Sequence, residues 1–245
     1  MSSLQIVLID TTANSVVPPG LLQQIAAALQ QQVDNDFAPA WGVRADISAP
    51  AAGDVPDEAW QVKVIDSLPG AGGVHLDDQG KPYAEAVNGP DLSVAISHEV
   101  LEMLVDPWGN RFTPGPDIDP AFPDREVFYL VEVGDPCEVT SYPIGGVQVS
   151  DFILPSFYDP NATAPFDFRG TLAGPLPQQV PQGCYISWID PADWKWHQQR
   201  PDGTFVTADA TATPGQNPRE DRDKAFPDDD DRHNIPAIYK SWSAD

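Results

Sequence analysis

The sequence predicts an α+β fold: a mixed, twisted β-sheet with a long N-terminal helix and a central helix, followed by a β-rich, proline-rich irregular C-terminal part. Three observations predict it. Short runs rich in β-branched residues alternate with two stretches of helical periodicity up to Pro107. The second of those stretches, Ser93 to Pro107 (SVAISHEVLEMLVDP), is apolar except for two serines and one stripe of ionisable groups. From Tyr158 onward proline and glycine recur too often for long helices. We therefore expect a core over residues 1–158 and an irregular extension over 159–245 packed on it.

Gln5 to Asp10 (QIVLID) is bounded by a polar cluster and reads as a buried first strand. Pro18, Pro19 and Gly20 open an amphipathic helix in which Leu21, Leu22, Ile25, Ala28, Leu29 and Val33 repeat at helical spacing. Trp41 to Ile47 and Trp60 to Ile65 alternate as strands do. His75 lies in Gly70 to Asn88, which reads as a hairpin or extended edge segment turning at Asp78-Gln79-Gly80. Asp91 or Ser93 caps the central helix and Pro107 stops it. Pro114 to Pro123 reads as a loop, and Glu126 to Val133 as a strand running into a tight turn at Gly134 to Glu138. Gly145 to Phe152 and Cys184 to Asp190 are further strands. Asp228 to Asp231 is an acidic run of the kind that is solvated.

Thirteen Lys and Arg against 37 Asp and Glu give a net charge of −24, which repels phosphate backbones and anionic lipid. We expect no nucleic-acid or membrane partner. No apolar run spans a bilayer, and the N-terminus lacks the basic-then-apolar order of a signal peptide, so a cytoplasmic or virion-associated protein is expected. Secretion by another route stays open. Two cysteines, Cys137 and Cys184, make no disulfide framework; a single bridge between them stays open, and buried free thiols are expected if the protein is cytoplasmic. The sequence leaves the oligomeric state open.

In a helix turning about 100° per residue, His98, Glu102 and Asp106 stack at i, i+4 and i+8 with Glu99 beside them. Buried carboxylates need neutralising partners, and one cation can serve them together. His98 and Glu102 can hold zinc from one helical face, while Glu99 leans alongside as general base for a water made acidic by the metal. Further ligands are sought in the turn after the strand: Asp135 and Glu138, with Glu132 able to face either way. Asp106 reads better as a helix stop. His75 is a ligand or a substrate contact, while His197 and His233 have no evident partners.

Ser93–Pro107 resembles the active-site helix of zincin metallopeptidases. The preceding order of strand, long helix, two strands, edge segment and motif helix resembles the upper part of metzincin-like proteases. HEVLEML.DP with a later EV.D..E also resembles uncharacterised proteins of bacteria and their phages, some described as metallopeptidases. The resemblance implies a zinc hydrolase of peptide bonds with a peptide or protein substrate lying along the edge strand. The zincin motif is HExxH, however, and this chain has Glu102 at the second histidine and no downstream third-ligand extension. A carboxylate binds zinc at about 2.0–2.2 Å but lowers its Lewis acidity. The alternatives are a non-catalytic structural or binding protein of a virion or secreted assembly, with Zn or an oxygen-ligated Ca site, and pairing of the acids with Arg111 or Arg125.

Overall fold

The structure is a computed structural model that describes residues 3–50, 54–69, 71–172, 179–192 and 194–208. His233 and the run Asp228 to Asp231 lie outside the described residues. The fold is mixed α+β. Among the described residues it divides into two compact units, 1–107 with 141–150, and 108–140 with 151–208. This is a different partition from a single boundary at residue 158, because strands on either side of 141–150 belong to one sheet while 141–150 itself packs on the helices of the first unit.

The first unit is built on a five-stranded sheet. Its strands are β1 (Gln5–Asp10), β2 (Asp46–Ser48), β3 (Trp60–Ile65), β4 (Gly73–Asp78) and β5 (Lys81–Val87), in the order β2-β1-β3-β5-β4. β2, β1, β3 and β5 are parallel, and β4 joins antiparallel at the end of the sheet. The β4–β5 turn falls where the sequence places it: Gln79 and Gly80 both have positive φ, 53° and 85°, as a two-residue primed turn requires. The long helix α1 (Leu21–Gln32) buries Leu22, Ile25 and Leu29. It runs on through a π-helical stretch, Val33–Phe37, into α2 (Ala38–Trp41), which ends at Gly42 with φ 74°. The strand expected from Trp41 is thus only Asp46–Ser48, since Trp41 is the last helical residue and its ring stacks on Phe37 at 6.3 Å.

The motif helix α3 (Leu92–Val105) is buried at every position but Ser93. Its polar Ser97 is explained by a network that uses nearly every valence present. Gln32 Nε2 donates to the Ser150 carbonyl (2.8 Å) and to Tyr142 Oη (3.1 Å), and its Oε1 accepts from Ser97 Oγ (2.8 Å). Ser97 Oγ accepts in turn from the Ser150 amide at 3.0 Å. Ser150 and Tyr142 belong to the hairpin β8 (Ser141–Ile144) and β9 (Val147–Ser150), of which the sequence suggested only the second strand. Ser97→Ala would leave a buried amide oxygen and a buried N–H without this partner. We expect it to destabilise the protein by about 1–3 kcal/mol, read as a lower denaturant midpoint at unchanged m-value.

The second unit carries another five-stranded sheet, order β12-β11-β10-β7-β6, antiparallel throughout: β6 (Phe112–Pro116), β7 (Glu126–Leu130), β10 (Ile186–Asp190), β11 (Lys195–Gln199) and β12 (Phe205–Ala208). Proline suggested a loop over part of β6. It is a strand because it lies at the sheet edge, where Pro114 and Pro116 need not supply ladder donors on both sides. Cys137 and Cys184 are free and buried; burial pushes the Cys184 thiol up to about 12 and Cys137 well above its ordinary value, so both are protonated and inert.

Two buried acids, Asp151 and Asp167, share a proton in this unit. Burial, and then a hydrogen bond with Asp167, push Asp151 up to about 8. Burial also acts to raise Asp167, but hydrogen bonds from Asp151, Thr171 and Leu172 outweigh it and leave Asp167 below its usual range. Since Asp151 binds its proton more tightly when folded, its stabilising contribution is complete below the unfolded value of 3.8 and is lost as pH rises through about 8. We expect Tm to fall between pH 5 and pH 9 and Asp151→Asn to flatten that fall. An amide there can donate to Asp167 and still accept from the Phe152 and Arg169 amides. An equally steep profile in the variant would place the titration elsewhere.

Candidate metal centre

The site is assembled by α3 and β4 of the first unit. Along β4 the residues Gly73 and His75 share a face by the two-residue repeat of a strand, and His75 is wholly buried. On α3, Glu99 and Glu102 are one turn apart and His98 lies four residues before Glu102. His98 Nε2 stands 3.2 Å from Glu102 Oε1, so the i, i+4 pair converges as the sequence predicts. His75 Nδ1 stands 3.4 Å from Glu102 Oε2 and 3.5 Å from Glu99 Oε2. All four side chains are at most 4% exposed.

Gly73 makes room for this convergence: a Cβ on it would lie 2.7 Å from Glu99 Oε1 and 2.8 Å from Glu99 Cγ. The strand therefore approaches the helix closely enough to set the Glu99 side chain against it. The other nitrogen of His75, Nε2, lies 3.1 Å from the carbonyl oxygen of Asp106. A carbonyl only accepts, so Nε2 carries the hydrogen, and in the neutral ring the Nδ1 lone pair points at the two glutamates. A ring held in this way through Nε2 has the placement of a metal-ligating histidine, whose second N–H is held by an outer acceptor. Asp106 thus enters through its backbone, as the residue that ends α3.

Buried carboxylates such as Glu99 and Glu102 are neutralised by a proton, a charged partner or a cation. Within the first unit, His75 with Glu102 and His98 with Glu102 each bring one imidazole nitrogen and one carboxylate oxygen together. For a tetrahedral zinc with bonds of about 2.0–2.2 Å, neighbouring ligand atoms are roughly 3.3–3.6 Å apart. The separations of 3.4 and 3.2 Å are near that edge length.

The remaining predicted residues lie in the second unit. Asp135 is buried, at the start of a 3-10 turn, Asp135–Cys137, and its carbonyl accepts from the Tyr185 amide at 3.3 Å. Glu132 is buried as well, just beyond the end of β7, and Glu138 is half-buried. Arg125 is engaged by Asp117 and, at 2.7 Å, by Asp190, not by the acids of α3. His197 stacks on Trp188 at 5.8 Å and its Nδ1 lies 3.0 Å from Thr207 Oγ1, which accounts for it structurally.

What sequence reasoning undervalued is His75. Its signal was its place on a strand two residues from a glycine in a hairpin, and that has meaning only once β4 is known to pass beside α3. No protein-family model, curated protein or solved structure matches this chain.

Proposed function

We propose that the protein is a metal-dependent hydrolase of peptide bonds, with zinc as the metal, His98 and Glu102 as ligands and Glu99 as the general base. The observation that carries this reading is the convergence of His98 and Glu102 at 3.2 Å with Glu99 one residue along the same helix. Imidazole nitrogen together with carboxylate oxygen suits zinc better than calcium, which prefers six to eight oxygens. Of the expected further ligands, Asp135 fits better by burial than Glu138, and Asp135→Asn is expected to lower zinc affinity more than Glu138→Gln.

A bound zinc supplies Lewis acidity that makes water a nucleophile near neutral pH. Glu99 takes the proton released as water attacks, and the leaving amine takes it from Glu99. Its carboxylate is positioned by the tight passage of Gly73, and His75 Nδ1 lies 3.5 Å from it. His75, fixed through the Asp106 carbonyl, lies against both glutamates. β4, as the terminal strand of its sheet, suits a peptide added in extended form beside it. The order of elements up to α3 also supports the likeness to the upper part of metzincin-like proteases.

The near-complete burial of Glu99 and Glu102 favours a second reading, a closed site that holds its ion structurally without catalysis. Zinc content, with cleavage of a mixed peptide library by wild type and Glu99→Gln, separates the two. Stoichiometric zinc without cleavage by wild type establishes the structural reading, and cleavage that Glu99→Gln abolishes establishes the hydrolase.

A further inference from the structure

We infer that one end of the second sheet, where the β6–β7 loop and the β10–β11 turn meet, is a docking surface for a lysine- or arginine-rich segment of a partner protein, with Trp194 and Phe122 as its aromatic anchors. The inference shares no residue with the metal site and does not rest on it. Pro116 pairs with Glu126 and Asp190 with Lys195, while β7 and β10 are antiparallel neighbours, so both connections leave the sheet at the same end. They are tied together there. Arg125 Nη1 donates to Asp190 Oδ2 at 2.7 Å, its guanidinium carbon lies 3.7 Å from the centroid of the Phe122 ring, and the Trp194 amide donates to the Asp190 carbonyl at 2.8 Å.

Two large rings face solvent at this end: Trp194 is 59% exposed and Phe122 43%. Trp194 also holds a backbone φ of 57°, in the left-handed region that a bulky side chain enters only at a cost. Glycine would sit there without strain, so an exposed tryptophan gives up stability that its own packing does not return. The segment around Phe122, residues 117–126, carries four acids and a single arginine, and that arginine is already held by Asp117 and Asp190. Of these acids Asp124 and Glu126 are exposed. Exposed rings beside carboxylates match ammonium and guanidinium groups, which gain from the ring face as well as from the opposite charge. Arg125 lying over Phe122 is an internal instance of that pairing. Other occupants fit less well. A net charge of −24 repels nucleic acid, anionic lipid and a second copy of this chain. An added strand is disfavoured too, because β6, the terminal strand on this side, contains Pro114 and Pro116, which cannot donate.

The test uses the full chain and a fluorescein-labelled peptide of alternating lysine and glycine, with binding read by fluorescence anisotropy at low salt. Wild type should bind, and Trp194→Gly should bind roughly 2–30-fold more weakly, the range for a lost cation–π contact, with its Tm held or raised. Trp194→Phe keeps a ring and should keep most of the binding. Asp124→Asn with Glu126→Gln should weaken binding more than Asp57→Asn with Glu58→Gln, which removes the same charge from exposed acids of the first unit. Equal losses from the two acid pairs would show attraction by net charge alone and overturn the inference. It is overturned as well if wild type does not bind, if Trp194→Gly binds like wild type, or if Trp194→Phe binds as weakly as Trp194→Gly. A dimer in sedimentation that Trp194→Gly dissociates would make the occupant a second copy and overturn the basic partner. Should the glycine variant fail to fold, Trp194→Leu, apolar but without a ring, takes its place in each comparison.

Discussion

On the proposed zinc-hydrolase reading, Glu99→Gln is expected to keep the fold and the zinc and to lose hydrolysis by about 10²–10⁴-fold, the usual effect of removing a general base. The substitution is close to isosteric, so the passage beside Gly73 stays filled and the contact with His75 is kept. What is lost is the capacity to accept a proton. His98→Ala provides the contrast, expected to lose the ion it is proposed to ligate as well as the activity. Zinc and peptide cleavage measured on the same preparations distinguish an absent base from an absent metal. Should Glu99→Gln cleave as fast as wild type, Glu99 is not the base, whatever the protein cleaves.

Removing the proposed metal is expected to cost the protein much of its stability, because the buried charges on α3 would lose the cation proposed to offset them. An ion bound to the folded state alone at about 1,000 times its Kd stabilises by about 4.1 kcal/mol. For a chain of this size each kcal/mol moves Tm by about 2–4 °C, so chelator-treated protein should melt roughly 8–16 °C lower, and restored zinc should reverse the shift. Protein stripped of zinc that melts where the loaded form does would show that the carboxylates are balanced by protons instead.

Local patterns made part of this legible. The i, i+4 relation of His98 and Glu102 and the extents of β1 and β3 follow from periodicity within a few residues, and each is found as expected. The β4–β5 turn followed from its glycine and the polar residues before it. What stayed hidden depended on partners distant in sequence. β6 reads as loop until its edge position makes two prolines acceptable, and β8 has little pattern of its own before it pairs with β9. Helix continuation through Val33–Phe37 to Trp41 overrode the alternation that suggested a strand there. His75 was ambiguous for the same reason, since neither its neighbour on α3 nor the Asp106 carbonyl can be inferred from β4 alone.

The Gln32–Ser97–Ser150 network also bears on how the chain is made. Residues 108–140, belonging to the other unit, are translated between α3 and the hairpin that supplies the Ser150 carbonyl and amide. At about 5–20 residues per second, this interval lasts roughly 2–7 s. During it Gln32 and Ser97 have been synthesised but the Ser150 groups that complete their network have not. A nascent chain stalled after Pro107 should therefore remain protease-sensitive at α1 and α3, and one released beyond Ser150 should become resistant there. Vectorial synthesis thus makes the first unit wait on a ten-residue return segment.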